Sequence, residues 1–170
     1  MALLKKIFSL LFFCILITVN AVGCTKKSSD VTAVTTGLSF TAEISCHNTE
    51  FTCDAVISPS GDAQFTIVSP EEIRDMKFSF SGGGTVITFQ GIEYKIEGDL
   101  TETDILSALY DILKTADKND VISQDDTFKI NGTAACGDYT AELGESGLPL
   151  KIICDDKKLE VTIKNPSIIQ

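Results

Sequence analysis

The sequence has little of what chemistry needs. It holds no tryptophan, one histidine (His47) and one arginine (Arg74). A lone histidine in a turn leaves acid–base catalysis short of its commonest residue. No GxSxG elbow is present for a nucleophilic serine. Gly82-Gly83-Gly84 is followed by neither Lys-Ser/Thr nor a helix, so it is a turn and no phosphate loop. Basic residues are also scarce, 14 against 24 acidic, with no basic patch. That balance argues against nucleic acid as a partner. Cys46, His47 and Cys53 lack a fourth ligand for structural zinc. The acidic run Asp117, Asp120, Asp125, Asp126 lacks the calcium-loop ligand order and its glycine. No catalytic residue, metal or cofactor is therefore expected, and no enzyme.

Long apolar runs are missing too, with one short exception. Ile7 to Val19 (IFSLLFFCILITV) is apolar for 13 residues, short of the roughly 20 that span a bilayer. Lys5 and Lys6 precede it, and Asn20-Ala21-Val22-Gly23-Cys24 follows. The order of charge, apolar run and small residues is that of a signal peptide. The small residues before Cys24 resemble the lipobox of lipoprotein signal peptidase, with Ala21 where leucine is usual. The expectation is a signal peptide over 1–23 and a lipid on Cys24. An uncleaved anchor, or a plain cleavage leaving Cys24 free, is the alternative. Two acyl chains make anchoring stable where one is marginal. This places the chain on the extracytoplasmic face of a bacterial cell membrane. Loss of Lys5 and Lys6 leaves 12 basic residues against 24 acidic, a net of −12.

Residues 24–37 are small and polar and read as a membrane tether. From residue 38 to 170 one domain is expected. Strict alternation marks its strands: Leu38, Phe40, Ala42, Ile44 and Cys46 on one face, then Phe51, Cys53, Ala55 and Ile57 after a turn at His47–Glu50. Ala63–Ile67, Met76–Phe80, Thr85–Phe89 and Ile92–Ile96 continue the pattern, the last two around Gln90-Gly91. Ser69-Pro70-Glu71-Glu72 reads as one capped helical turn, with Pro70 at its first position. One segment has helical period: Ile105, Leu109, Ile112 and Ala116 share a face, with Thr101 and Asp104 as a capping box, giving a helix from about Glu102 to Ala116. Asp117–Asp126 reads as an acidic loop. Strands resume at Phe128 and run to Ile163, with the first turn at Asn131-Gly132 or at Cys136-Gly137. The sum is a mainly β, α+β domain of about ten strands. Strands with one wet face form a strongly curved antiparallel sheet or unclosed half-barrel. The amphipathic helix covers its concave face.

This order is similar to the LolA/LolB and LppX/LprG-like lipoprotein superfamily. The segments that carry the resemblance are FTAEISCHNTEFTCDAVIS, VSPEEIRDMKFSFSGG and AELGESGLPLKIICDDKKLEVTIKN. It implies an unclosed barrel around an apolar cavity that carries acyl chains, with helices as a lid. Only one helix is evident here.

Two sets of residues follow for testing. Cys46 with Cys53, and Cys136 with Cys154, are the favoured disulfides in an oxidising compartment, with buried free thiols as the alternative. The first pairing requires that the turn set 46 opposite 53. The adjacent Cys46 and His47 are expected to point to opposite faces. Phe40, Phe65, Phe78, Phe80, Phe89, Ile105, Leu109 and Ile112 are the candidates to line a cavity for a lipid or other hydrophobic ligand. A dry core built from the same residues is the alternative. A structural or protein-interaction lipoprotein is the rival function.

Overall fold

The computed structural model describes residues 27–28, 30–96, 104–124 and 127–169. The proposed signal peptide, Cys24 and Thr101 lie outside them. The described strands form one twelve-stranded sheet, antiparallel at every pairing and open at both ends. In chain order they are β1 (Lys27–Ser28), β2 (Leu38–Cys46), β3 (Thr49–Ile57), β4 (Ala63–Ser69), β5 (Lys77–Ser81), β6 (Gly84–Phe89), β7 (Ile92–Ile96), β8 (Ile122–Gln124), β9 (Thr127–Ala134), β10 (Gly137–Leu143), β11 (Pro149–Cys154) and β12 (Leu159–Ile168). Across the sheet the order is β1-β8-β9-β10-β11-β12-β2-β3-β4-β5-β6-β7. The two halves of the chain join where β12 pairs with β2. The half-barrel and its single described helix, α1 (Ile105–Ala116), are as the alternation and the period predict.

Register sorts the faces. One row crosses six strands: Phe40, Ala55, Phe65, Phe78, Ile87 and Tyr94. Another runs Leu38, Ile57, Ala63, Phe80, Thr85, Ile96. On the far side Ile130, Ala141, Ile152, Val161 and Ile44 continue the same face. The opposite face carries Lys129, Glu142 and Lys151 in one row, with a Lys129–Glu142 contact of 3.2 Å. Helix α1 lies on the apolar face and buries Leu106, Leu109, Ile112, Leu113 and Ala116. Each large side chain so buried contributes roughly 1.5–3 kcal/mol.

Several local readings are corrected. The turn between β2 and β3 is His47-Asn48 alone, because Cys46 pairs with Thr49. His47 takes a left-handed φ of 56°. The first turn of the closing meander is Ala135-Cys136, and Asn131-Gly132 lies within β9. Pro70 is the N-cap of the short 3-10 turn Glu71–Ile73, and Asp104 is itself the N-cap of α1. Part of the acidic loop is strand β8, which pairs with β9 and with β1. Part of the tether is docked: Val34 N donates to Gly147 O at 2.9 Å, and Val31, Ala33 and Val34 pack on the core.

Candidate functional site

The helix reaches only part of the concave face. Twelve residues make a rod of about 18 Å, while twelve strands span on the order of 50 Å across the sheet. Its contacts show where it stops. On one side Tyr110 stacks on Phe80, ring centroids 5.0 Å apart, and donates to Gly61 O at 3.0 Å. On the other, Asp111 Oδ2 accepts from Ala135 N at 2.7 Å, and Thr115 Oγ1 lies 3.4 Å from Tyr139 Oη. The helix thus bridges β5 to β10. Past β5 the burial fades: Thr85 of β6 is still buried, while Ile92 to Lys95 of β7 are exposed.

Those strands nevertheless keep an apolar inner face. Phe89 pairs with Ile92, Ile87 with Tyr94, and Thr85 with Ile96. Exposure rises along the row from Phe65 at 0% through half-buried Phe78 and Ile87 to Tyr94 at 65%. Ile92 is 73% exposed. The outer face of the same strands is mostly polar: Lys77, Thr88 and Glu93 in one row, Ser79, Val86 and Lys95 in the next. Alternation is therefore preserved where burial is not. Clustered exposed apolar residues mark a binding surface more often than single ones do. This open wing of β5–β7 is the candidate site.

A second concavity lies at the N-terminus of α1. It is a cleft of about 390 Å³ walled by Ile105, Ala108 and Leu159, with Cys46, His47, Thr49, Asp104 and Lys157 at its polar side. Such a volume is at the small end of ligand pockets. Asp104 Oδ1 accepts from Leu106 N at 3.2 Å as the helix cap. Its Oδ2 is buried without a hydrogen-bond partner among the described residues. Burial raises its pKa against the lowering pull of the Leu106 and Ser107 amides.

The left-handed turn at His47 overturns the expectation that Cys46 and His47 diverge. Cys46 Sγ lies 3.8 Å from His47 Nδ1. The pair is still not a nucleophile and its base. Burial, then Cys154, push the Cys46 thiol up against the pull of Lys157, and the thiol donates to Lys157 O at 3.3 Å. A reactive cysteine needs its pKa lowered.

A broader groove of about 790 Å³ lies over β9–β11 and includes Lys129, Asp138 and Glu142. Its polar groups already satisfy one another, as Thr133 with Asp138 at 2.6 Å and Thr140 with Asn131 at 2.9 Å. It offers nothing to an acyl chain.

The eight residues proposed for a cavity fall in three places. Phe40, Phe65, Phe80, Leu109 and Ile112 are buried in the packed core. Ile105 walls the cleft. Phe78 and Phe89 are half-buried on the open wing. Ile87, Ile92, Tyr94 and Ile96 belong to the same surface and were not among the eight. Their alternation around Gln90-Gly91 was the signal available.

The four cysteines behind the proposed anchor are free thiols. Cys53 pairs with Ala42, four positions along β3 from the residue opposite Cys46, about 13 Å at the rise of a strand. A 46–53 disulfide does not fit this register, and Cys46, His47 and Cys53 do not converge on a metal. Cys136 and Cys154 are both buried, with sulfurs 3.5 Å apart.

No family model matches the sequence, and no curated protein matches it. The chain is similar in structure to a LolA superfamily protein from Nitrosomonas europaea: TM-score 0.49, 6% identity, 84% of this chain and 90% of that one. It is also similar to a DUF1329 family protein from Desulfovibrio piger: TM-score 0.38, 11% identity, 77% of this chain and 84% of that one.

Proposed function

We propose that the protein is a membrane-anchored, non-enzymatic binding module for a lipid or another hydrophobic molecule. The observation that carries this is the open wing: an apolar inner face, continuous in register with the core, that α1 leaves uncovered. An acyl chain laid along Phe78, Ile87, Phe89, Ile92 and Tyr94 gains burial without the removal of any paired polar group. At about 25 cal/mol per Å² of apolar surface, covering two or three such side chains supplies several kcal/mol. The cleft at the start of α1 supplies polar groups on the same domain. The lipobox-like sequence at Cys24 supports an anchor on the extracytoplasmic face, and a tether shortened by docking keeps the sheet near the bilayer.

The test is displacement of a fluorescent fatty acid. Ile92→Gln with Tyr94→Gln alters only exposed side chains, so the fold is retained. Binding at least tenfold weaker than in the parent is the expected result. Equal affinity in parent and variant rejects the wing as the site. Incorporation of an alkyne-tagged palmitate, lost in Cys24→Ser, tests the anchor separately.

The packed core beneath α1 favours a second reading, a protein-interaction lipoprotein with a dry interior. Recovery of one protein partner with no co-purifying lipid supports that reading.

A further inference from the structure

Strand β7 ends the sheet, and one of its edges is unpaired among the described residues. The opposite end is finished by β1, only two residues long. Strand β7 is five residues long, holds no proline, and pairs with β6 without a bulge. A two-residue turn with φ of 50° at Gln90 and 79° at Gly91 sets it there, the geometry of a tight hairpin. An edge of this kind is a template for another strand.

The sequence of β7 says which strand fits. It reads Ile-Glu-Tyr-Lys-Ile, with opposite charges placed symmetrically about Tyr94. Let a second copy lie antiparallel along the edge, with the two-fold axis through Tyr94. Glu93 then faces Lys95 of the other copy, and Lys95 faces its Glu93. Ile92 faces Ile96, and Tyr94 faces its own copy. A parallel pairing offset by two also sets Glu93 opposite Lys95, but it is heterologous and does not close, and the registers nearest the two-fold one are worse in charge or face. A parallel, in-register pairing puts Glu93 opposite Glu93. Sliding the antiparallel pairing by two residues puts Glu93 on Glu93 or Lys95 on Lys95. Sliding by one sets Tyr94 against Lys95 and mixes the faces. Opposite charges directly across a strand pair stabilise it and like charges destabilise it.

We propose that β7 is a dimerisation edge whose partner is a second copy of this chain. The pairing is isologous and closed, as two-fold symmetry requires. Glu93 and Lys95 lie 3.3 Å apart within one copy, both exposed, and are free to exchange partners. Ile92, Tyr94 and Ile96 share the inner face, so the dimer joins two open wings into one trough. This goes beyond the ligand reading and stands on register and charge alone.

The experiment uses the full-length chain carrying Tyr94→Cys, produced in bacterial membranes and treated with a short bismaleimide. On the two-fold axis the β-carbons of residue 94 are roughly 5 Å apart. A product of doubled mass is expected, above the background of the parent chain. Val56→Cys, exposed at mid-sheet on β3, gives only that background. Added to Tyr94→Cys, Lys95→Glu lowers the yield at least fivefold, and Glu93→Lys with Lys95→Glu restores it. No doubled product from residue 94, equal yield from residue 56, or a yield indifferent to these charges overturns the proposal. Lys95→Glu lies on the outer face and leaves the apolar wing of each copy intact, so fatty-acid binding persists in this variant, which separates this outcome from the ligand test.

Discussion

Cys136 sits in the turn between β9 and β10, and Cys154 ends β11. Their sulfurs lie 3.5 Å apart, and burial, followed by hydrogen bonding to Cys154, pushes the Cys136 thiol up to about 12. Burial also raises Cys53 to about 12. Half-buried Cys46 opens on the cleft. Alkylation of the reduced native protein at pH 8 should therefore mark Cys46 first and leave Cys53 unlabelled until unfolding. With glutathione disulfide as oxidant, Cys136 and Cys154 should join and release two equivalents of glutathione. Mass spectrometry after alkylation then finds one intramolecular bridge, while four alkylated thiols would contradict it. A loop of this length contributes about 3 kcal/mol, so Cys154→Ala should lower the oxidised protein's melting temperature by roughly 5–10 °C. The sequence alone suggested this pair and also 46–53. The second suggestion assumed a longer turn. One residue, His47 at positive φ, shortens that turn and moves the register.

At the scale of the element, α1 shows what periodicity does and does not reveal. Its buried stripe was legible from Ile105, Leu109, Ile112 and Ala116, and the packing agrees except that Ile105 is only half-buried. Composition alone sets its start too early, because Thr101 and Asp104 both qualify as caps and the cap is Asp104. Strands β1 and β8 were missed since neither is long enough to show alternation. Their backbones pair, β1 with β8 and β8 with β9. Two predictions belong here. Asp104→Ala should cost about 1 kcal/mol in chemical denaturation through loss of the cap. Asp104→Asn keeps the acceptor for Leu106 N and carries no buried charge, so at pH 7 it should be at least as stable as the parent. The parent's carboxyl has its folded pKa raised above 3.8, so the folded state binds its proton more tightly. That contribution to stability is full below the unfolded pKa and is lost as pH rises through the folded value. Stability curves of parent and Asp104→Asn should therefore converge toward acid and separate above it.

For the whole molecule the deciding fact is coverage. One described helix lies on a twelve-stranded sheet, so most of the concave face is core and one wing is not. The sequence showed which residues share the inner face, because alternation records it. Which of them remain open was not legible. Phe65 and Phe78 are opposite each other in register and have the same side chain, yet one is sealed and the other half-open. Phe65 lies edge-on to Phe80, on which Tyr110 of α1 stacks, and Phe78 is one strand further out. Charge adds a constraint at the same scale. A net of −10 over the whole sequence disfavours approach to anionic lipid, so under the proposed function a lipid is recognised by the apolar wing. The most direct test of that claim is native mass spectrometry of the chain purified from bacterial membranes, with organic extraction of what it carries. The account predicts a bound acyl lipid in the parent and its loss in Ile92→Gln with Tyr94→Gln. A bare protein mass in the parent, with no lipid in the extract, would contradict it.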